Sequence, residues 1–285
     1  MSASTPPDPA EQLARQIASL NASLNNLQSQ VLLSSVKDQL EDLDTTVNGL
    51  AGRVSALRTA GYVFEVELDK QARALKQQWP SLRSRAEAQV AAQAPQLQAA
   101  LRPLESQART IEARQANVAS ARPLAAQLEN AVGSLEAKVR AAEIAVRGAY
   151  DSFQTEAQSF ASRLDRIEWT MQQVAEASFS LLPAEGAIAA VEAKWDRDGK
   201  DDPKGVLFLT DQRLFFEQKE EVATKKVLFI TTAKEKVQKL LLEAALASVE
   251  QVKPSKKGLL GHEDHLDVGF TLDGPVRAAH FHIDG

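Results

Sequence analysis

Cysteine is absent from all 285 residues. That excludes disulfides, thiolate metal sites and a cysteine nucleophile, and it fits a reducing compartment. A long apolar run is also missing. The longest candidate, Leu240 to Leu246, is broken by Glu243 and falls far short of the roughly 20 residues that cross a bilayer. A basic excess is missing too: 33 Lys and Arg against 38 Asp and Glu leave a net charge of −5, so nucleic-acid binding has no electrostatic footprint. The opening MSASTPPDPA has neither the basic stretch nor the apolar core of a secretory signal. A cytoplasmic chain is expected. No phosphate-binding glycine loop, dinucleotide fingerprint or nucleophile elbow is present, so neither catalysis nor a cofactor is expected.

Aromatic residues make up only 5% of the chain, and the cationic residues change type along it. Residues 1–180 hold 14 Arg and 4 Lys; residues 181–285 hold 3 Arg and 12 Lys. This shift supports a boundary near Pro183. Residues 1–10 are polar and proline-rich and are expected to be disordered.

From Leu13 the apolar spacing is regular: Leu13, Ile17, Leu20, Leu24, Leu27 and Val31 alternate steps of four and three. This is a heptad seam with a period of about 3.5 residues. It breaks phase between Val31 and Val36, resumes from Leu40 to Leu57, continues less cleanly through Leu82, and is strong again from Leu128 to Val174. A helix with such a stripe must be covered by another helix. Residues 11–180 therefore read as a coiled coil or helical bundle. A single rod of about 160 residues would be roughly 240 Å long; chain reversals would shorten it. Pro80, Pro95, Pro103 and Pro123 disrupt helix hydrogen bonding, and breaks are expected near 33–35, 58–62, 79–81 and 119–123.

Beyond the linker at 181–185 the periodicity changes from helical to alternating. Residues 188–195 read as a strand, and 196–203 (DRDGKDDP) as a polar loop. The stretch GVLFLTDQRLFF, Gly205 to Phe216, is a hairpin written in strand and turn chemistry. Residues 226–231 (KVLFIT) read as a further strand, and 233–246 look helical in composition. Residues 248–253, the set Leu266, Val268, Phe270 and the set Ala279, Phe281, Ile283 alternate as strands, with Asp273-Gly274 as a turn signal. Six or seven short strands argue for a small barrel or sandwich.

The turn Thr210–Arg213 with its apolar flanks, together with the segment LASVEQVKPSKKGLLG from Leu246 to Gly261, resembles the GRAM and bacterial PH-like family. The resemblance covers residues 183–285. It implies a PH-like antiparallel β-barrel, and it implies that residues 233–246 feed into a strand. It also implies a closing C-terminal helix. None is seen between the last strand and Gly285: either the chain is a truncated version, or something else, such as the helical region, caps the open end. The fold class is thus α+β: a long helical region followed by a small PH-like barrel.

The resemblance implies a mostly structural role for Arg213 at the end of the turn; the alternative is a lipid or partner contact to a phosphate through its guanidinium fork. Lys225, Lys226, Lys253, Lys256 and Lys257 are candidates for an anionic lipid or protein partner. The early loop at 196–203 carries four aspartates, which oppose a phosphoinositide headgroup. His262, His265, His280 and His282 are weak metal candidates; His280 and His282 share one strand face, and paired strand histidines can bind zinc. The expected function is a non-enzymatic scaffold or adaptor, self-associating or packing through its helices into a homo-oligomer or bundle and docking through the β-domain. The alternative is a peripheral membrane protein that recognises anionic lipid.

Overall fold

The computed structural model describes residues 8–197, 202–227, 230–257 and 263–284, with backbone alone for 222–227, 230–235 and 257. Five helices come first: α1 (Pro9–Gln30), α2 (Ser34–Thr59), α3 (Leu68–Ala113), α4 (Val118–Arg147) and α5 (Asp151–Ala175). Seven strands follow: β1 (Ala187–Asp196), β2 (Lys204–Thr210), β3 (Arg213–Val227), β4 (Ile230–Ala245), β5 (Val249–Lys257), β6 (Glu263–Phe270) and β7 (Ala278–Asp284). The chain divides into two compact units, Met1–Leu50 with Ala72–Ser159, and Ala51–Gln71 with Phe160–Gly285.

In the first unit the heptad seam is covered by the same chain. Leu13, Ile17, Leu20, Leu24, Leu27, Leu40, Leu43 and Val47 are each no more than 7% exposed. Polar rim contacts give the directions. Gln12, Gln16, Ser35 and Gln39 meet Arg122, Glu129, Glu143 and Tyr150 at nearly constant separations of 110, 113, 108 and 111 residues. A constant offset means that α1 and α2 run parallel to the chain from α4 into α5. Against α3 the separation shrinks, from 91 at Asn21–Glu112 to 77 at Gln28–Glu105 and 35 at Asp44–Trp79, so α3 is antiparallel to α1 and α2. The unit is an up-down-up arrangement of three helical rows around one apolar seam.

Its largest anchor is Trp79, 2% exposed. The indole stacks on Phe153 with centroids 5.5 Å apart, and Nε1–H donates to Asp44 at 2.7 Å. Arg83 pairs with the same carboxylate at 2.7 Å. The Trp79 and Arg83 hydrogen bonds hold the Asp44 carboxyl below its ordinary pKa.

The helix ends follow local chemistry. Asp8 caps α1 by accepting from the Ala10 N–H, and Pro9 occupies the first helical position, where its missing N–H costs nothing. Residues 9 and 10, expected to be disordered, are therefore helical, while 1–7 lie outside the described residues. The breaks at 31–33 and 60–67 fall where expected. At the first, Leu33 takes φ 53 with a fully buried side chain, so packing holds a backbone that leucine resists. The breaks expected at 79–81 and 119–123 are not found: α3 runs through Pro80, Pro95 and Pro103, and Pro123 lies inside α4. All four prolines are exposed, so the carbonyl each one orphans can turn to water. The break instead falls just before α4, where Asn117 caps by accepting from the Ser120 N–H, and a further one falls at Gly148–Tyr150, which the heptad pattern does not announce.

The second unit holds the sheet. Its strands are antiparallel in the order β4-β3-β2-β1-β7-β6-β5. Among the described residues β4 and β5 do not pair, so the sheet is open rather than a closed barrel. It is nevertheless strongly curved. Phe216 on β3 and Phe281 on β7 are three strands apart, about 14 Å in a flat sheet, yet their ring centroids are 5.4 Å apart. Trp195 touches both, and Leu207, Leu242, Ala244, Val268, Phe270 and Ala279 fill the same concave core.

Two expected elements are corrected. Residues 233–245 belong to strand β4, not to a helix: Leu242 and Ala244 alternate into the core while Glu243 faces out to Arg213, and period two overrides the helical composition; Leu246 begins a short 3-10 turn. The stretch 226–231 is not one strand but the end of β3 and the start of β4, with 228–229 outside the described residues.

The opposite face at β2 and β3 is also buried, under the end of α5 and the residues after it. Val206, Phe208 and Phe215 pack against Trp169, Val174 and Phe179, with Phe179 stacked on Phe215 at 4.1 Å. Thr170 Oγ1 accepts from the Ala190 N–H at 3.0 Å, tying α5 to β1. Residues 160–175 thus belong with the sheet and not with the helical region to which the 183 boundary assigned them. Gly205 is required here, since a Cβ would lie 1.9 Å from the Glu217 carbonyl oxygen.

Trp79→Ala removes a buried ring, its stack and an indole hydrogen bond. It is expected to lower stability by about 3–5 kcal/mol, read from urea denaturation by far-UV circular dichroism. A loss below about 1 kcal/mol would contradict this packing.

Candidate functional site

The Thr210–Arg213 turn is held from within. Thr210, fully buried, accepts from the backbone N–H groups of Gln212 and Arg213 at 3.1 and 2.7 Å. Its hydroxyl sits 2.6 Å from Glu185 Oε1. Arg213 grips Glu185 with Nε and Nη2, pairs with Glu243 through Nη1, and donates to the Ser180 carbonyl. Its guanidinium lies 4.5 Å from the Phe215 ring centroid. These bonds direct the Arg213 fork inward, in keeping with the structural reading and not with its phosphate-contact alternative.

Glu185 is the residue that sequence reasoning passed over. Its side chain is fully buried, and it also accepts from the Leu182 N–H at 2.7 Å. The Arg213 hydrogen bonds, helped by Leu182 and Thr210, outweigh desolvation and bring its pKa down to about 2 from the ordinary 4.5. A buried carboxylate is tolerated only with such partners. The one signal in the sequence was an acid ahead of strand β1 with an arginine at the next turn but one.

The basic candidates are dispersed. Lys225 and Lys226 lie near the end of β3; their side chains lie outside the described residues. Lys253 is exposed on β5, opposite Asp267. Lys256 is exposed and 3.6 Å from Asp264, a distance at which a surface pair contributes little. Lys257 ends β5, and its side chain also lies outside the described residues. Lys256 and Lys257 thus lie in the last residues of strand β5. In the acidic loop after β1, Asp202 pairs with Lys194 at 2.9 Å and Arg197 stacks over Trp195 at 4.7 Å; 198–201 lie outside the described residues.

The histidines, by contrast, converge. His262 lies outside the described residues, but His265, His280 and His282 meet on one face of β6 and β7. The register sets His265 opposite His282 and Asp267 opposite His280. His265 Nδ1 is 3.0 Å from His280 Nε2, and His280 Nδ1 bonds to Asp267. His265 Nε2 is 3.4 Å from Glu263 Oε2. The rings of His265 and His282 stack with centroids 4.8 Å apart and planes at 9°. Period two along each strand puts Glu263, His265 and Asp267 on one face; only the strand pairing, invisible in sequence, brings the two histidine sets together.

Glu185→Gln is expected to destabilise the β-domain by about 3 kcal/mol, since it leaves Arg213 without its charged partner. In the unmodified chain the Glu185 contribution is complete above pH 4.5 and is lost as pH falls toward about 2, because the folded state holds the lower pKa. Acid titration of stability by tryptophan fluorescence checks this: the Gln variant should lose that part of the acid dependence. An unchanged acid profile would contradict the assignment.

No family model and no curated protein matches this chain. Among solved structures it is similar to a crystal structure of human RhoA with the DH/PH fragment of PDZRHOGEF, at 10% identity, 92% coverage of this chain, 87% of that chain and a TM-score of 0.26. It is also similar to the DH/PH domains of p115-RhoGEF, at 13% identity, 99% and 91% coverage and a TM-score of 0.24. Overlays of that strength carry no inference about fold or function, and the chain is described by its own geometry: a helical region followed by a seven-stranded antiparallel sheet.

Proposed function

We propose that this chain is a non-enzymatic adaptor whose helices close on themselves and whose β-domain, PH-like and of the GRAM type, docks on an acidic surface. The strand order supports the PH-like reading: two antiparallel meanders, β1 to β4 and β5 to β7, join through the β1–β7 pair. The GRAM-type reading rests on the Thr210–Arg213 turn.

The observation that carries the docking role is the reach of the β3–β4 hairpin. β2 pairs with β3 only as far as Gln218, whereas β3 and β4 go on pairing to Val227 and Ile230. The residues beyond Gln218 therefore form a two-stranded arm. Residues 219–239 hold six lysines and three glutamates, a positive segment in a chain of net charge −5. Lys219 is engaged by Glu176 at 3.2 Å; Lys236 and Lys239 are exposed. Lysines also guard exposed strand edges against aggregation, and β4 is an edge. That simpler role does not account for the length of the arm.

A second reading, a peripheral membrane protein, is favoured by one feature of the same arm. Lys225 and Lys226 immediately precede Val227, Leu228, Phe229 and Ile230, so apolar bulk adjoins cationic charge, as at an anionic bilayer surface. No helix among the described residues is long and apolar enough to cross a membrane. The homo-oligomer expected from the heptads finds less support, because the chain itself covers the seam.

The full chain is expected to be retained on immobilised polyglutamate at low salt, and Lys225→Glu with Lys226→Glu is expected to abolish retention. Equal passage of both chains would overturn the acidic-surface reading. Flotation with phosphatidylcholine vesicles carrying phosphatidylserine separates the two readings: salt-sensitive co-flotation establishes lipid as the surface, and its absence overturns the membrane reading.

A further inference from the structure

We infer that Glu263, His265 and His282 form a divalent-cation site of the zinc class, with His280 and Asp267 as positioning residues. One ligand atom from each of the three lies within 4.8 Å of the others.

The hydrogen-bond chain behind the cluster fixes which nitrogen is free to ligate. Asp267 can only accept, so His280 Nδ1 carries a hydrogen. In a neutral ring, His280 Nε2 then presents a lone pair. His265 Nδ1, 3.0 Å away, must donate to it. His265 Nε2 is left as an acceptor facing another acceptor, the Glu263 carboxylate, at 3.4 Å. Two acceptors that close repel unless a positive charge joins them. A metal ion does so directly, with His282 as third ligand once its ring turns out of the stack on His265, because the in-plane lone pairs of two parallel rings do not meet at one ion. The carboxylate–histidine arrangement behind a ligating histidine is what orients metal-binding imidazoles.

The geometry is near what zinc requires. Bonds of about 2.0–2.1 Å in a tetrahedron place ligand atoms about 3.3 Å apart. The largest separation here, within 4.8 Å, closes by rotation of the outer side chains: Glu263 is 51% exposed and His282 is half-buried, whereas His265, at 11%, is held. Two imidazoles and a carboxylate suit zinc over magnesium or calcium, which take oxygen ligands. Three protein ligands leave a fourth position for water or for a group from a docked partner.

A proton shared through the histidine chain satisfies the same geometry, and the experiment separates the two. Isothermal titration of the metal-free, untagged full chain with zinc chloride is expected to show one saturable equivalent. His282→Ala and Glu263→Gln should each weaken it at least tenfold. Asp267→Asn should weaken it about 10–100-fold while leaving thermal unfolding of the metal-free chain unchanged. Cobalt(II) should give an intense visible absorption of low coordination number that Asp267→Asn alters. Absence of saturable zinc binding, or binding that His282→Ala and Glu263→Gln leave untouched, would overturn the proposal and assign the cluster to proton sharing.

Discussion

An apolar seam along a helix has to be covered, and in this chain the cover comes from the chain itself. From Leu13 onward the seam residues are buried against α3 and the row formed by α4 and α5. Each leucine or valine so buried contributes on the order of 1.5–3 kcal/mol relative to exposure. Rim hydrogen bonds such as Gln16–Glu129 and Ser35–Glu143 are exposed and set direction more than stability. The Trp79 stack on Phe153, with its bond to Asp44, is where the three rows are pinned in register.

The β-domain solves a different problem with the same logic. Its sheet is apolar on both faces near β2 and β3. One face curls around Trp195, Phe216 and Phe281; the other is covered by Trp169, Val174 and Phe179. The turn between β2 and β3 is fixed by a buried charge pair, Glu185 with Arg213. That pair is a poor source of net stability but a strong constraint on geometry, since neither partner can be moved alone. Outside the core and the turn lie the long β3–β4 arm, tied to α5 through Lys219 and Glu176, and the histidine face of β6 and β7.

Much of this was legible in the sequence. The heptads gave the helical region because 3.5-residue periodicity admits one structural solution. Strands β1, β2, β5, β6 and β7 followed from alternation. What was illegible had identifiable causes. The prolines of α3 did not break the helix because they lie on its solvent side, and sequence does not say which carbonyl meets water. Residues 233–245 carry helix-forming Lys, Glu, Leu and Ala, yet pair with β3 up to Ala245; tertiary pairing outweighed propensity. At the candidate sites, Arg213 was visible and Glu185 was not, because the pair is joined by folding across 28 residues. The histidines were visible as two separate sets, and only the β6–β7 register showed that they form one cluster.

The helical seam is closed within one chain. The most direct test is the solution mass of the full chain by light scattering across a range of concentrations. The account predicts 31.0 kDa throughout. A concentration-independent multiple of that mass would mean that the helices close on a second copy, and would contradict it.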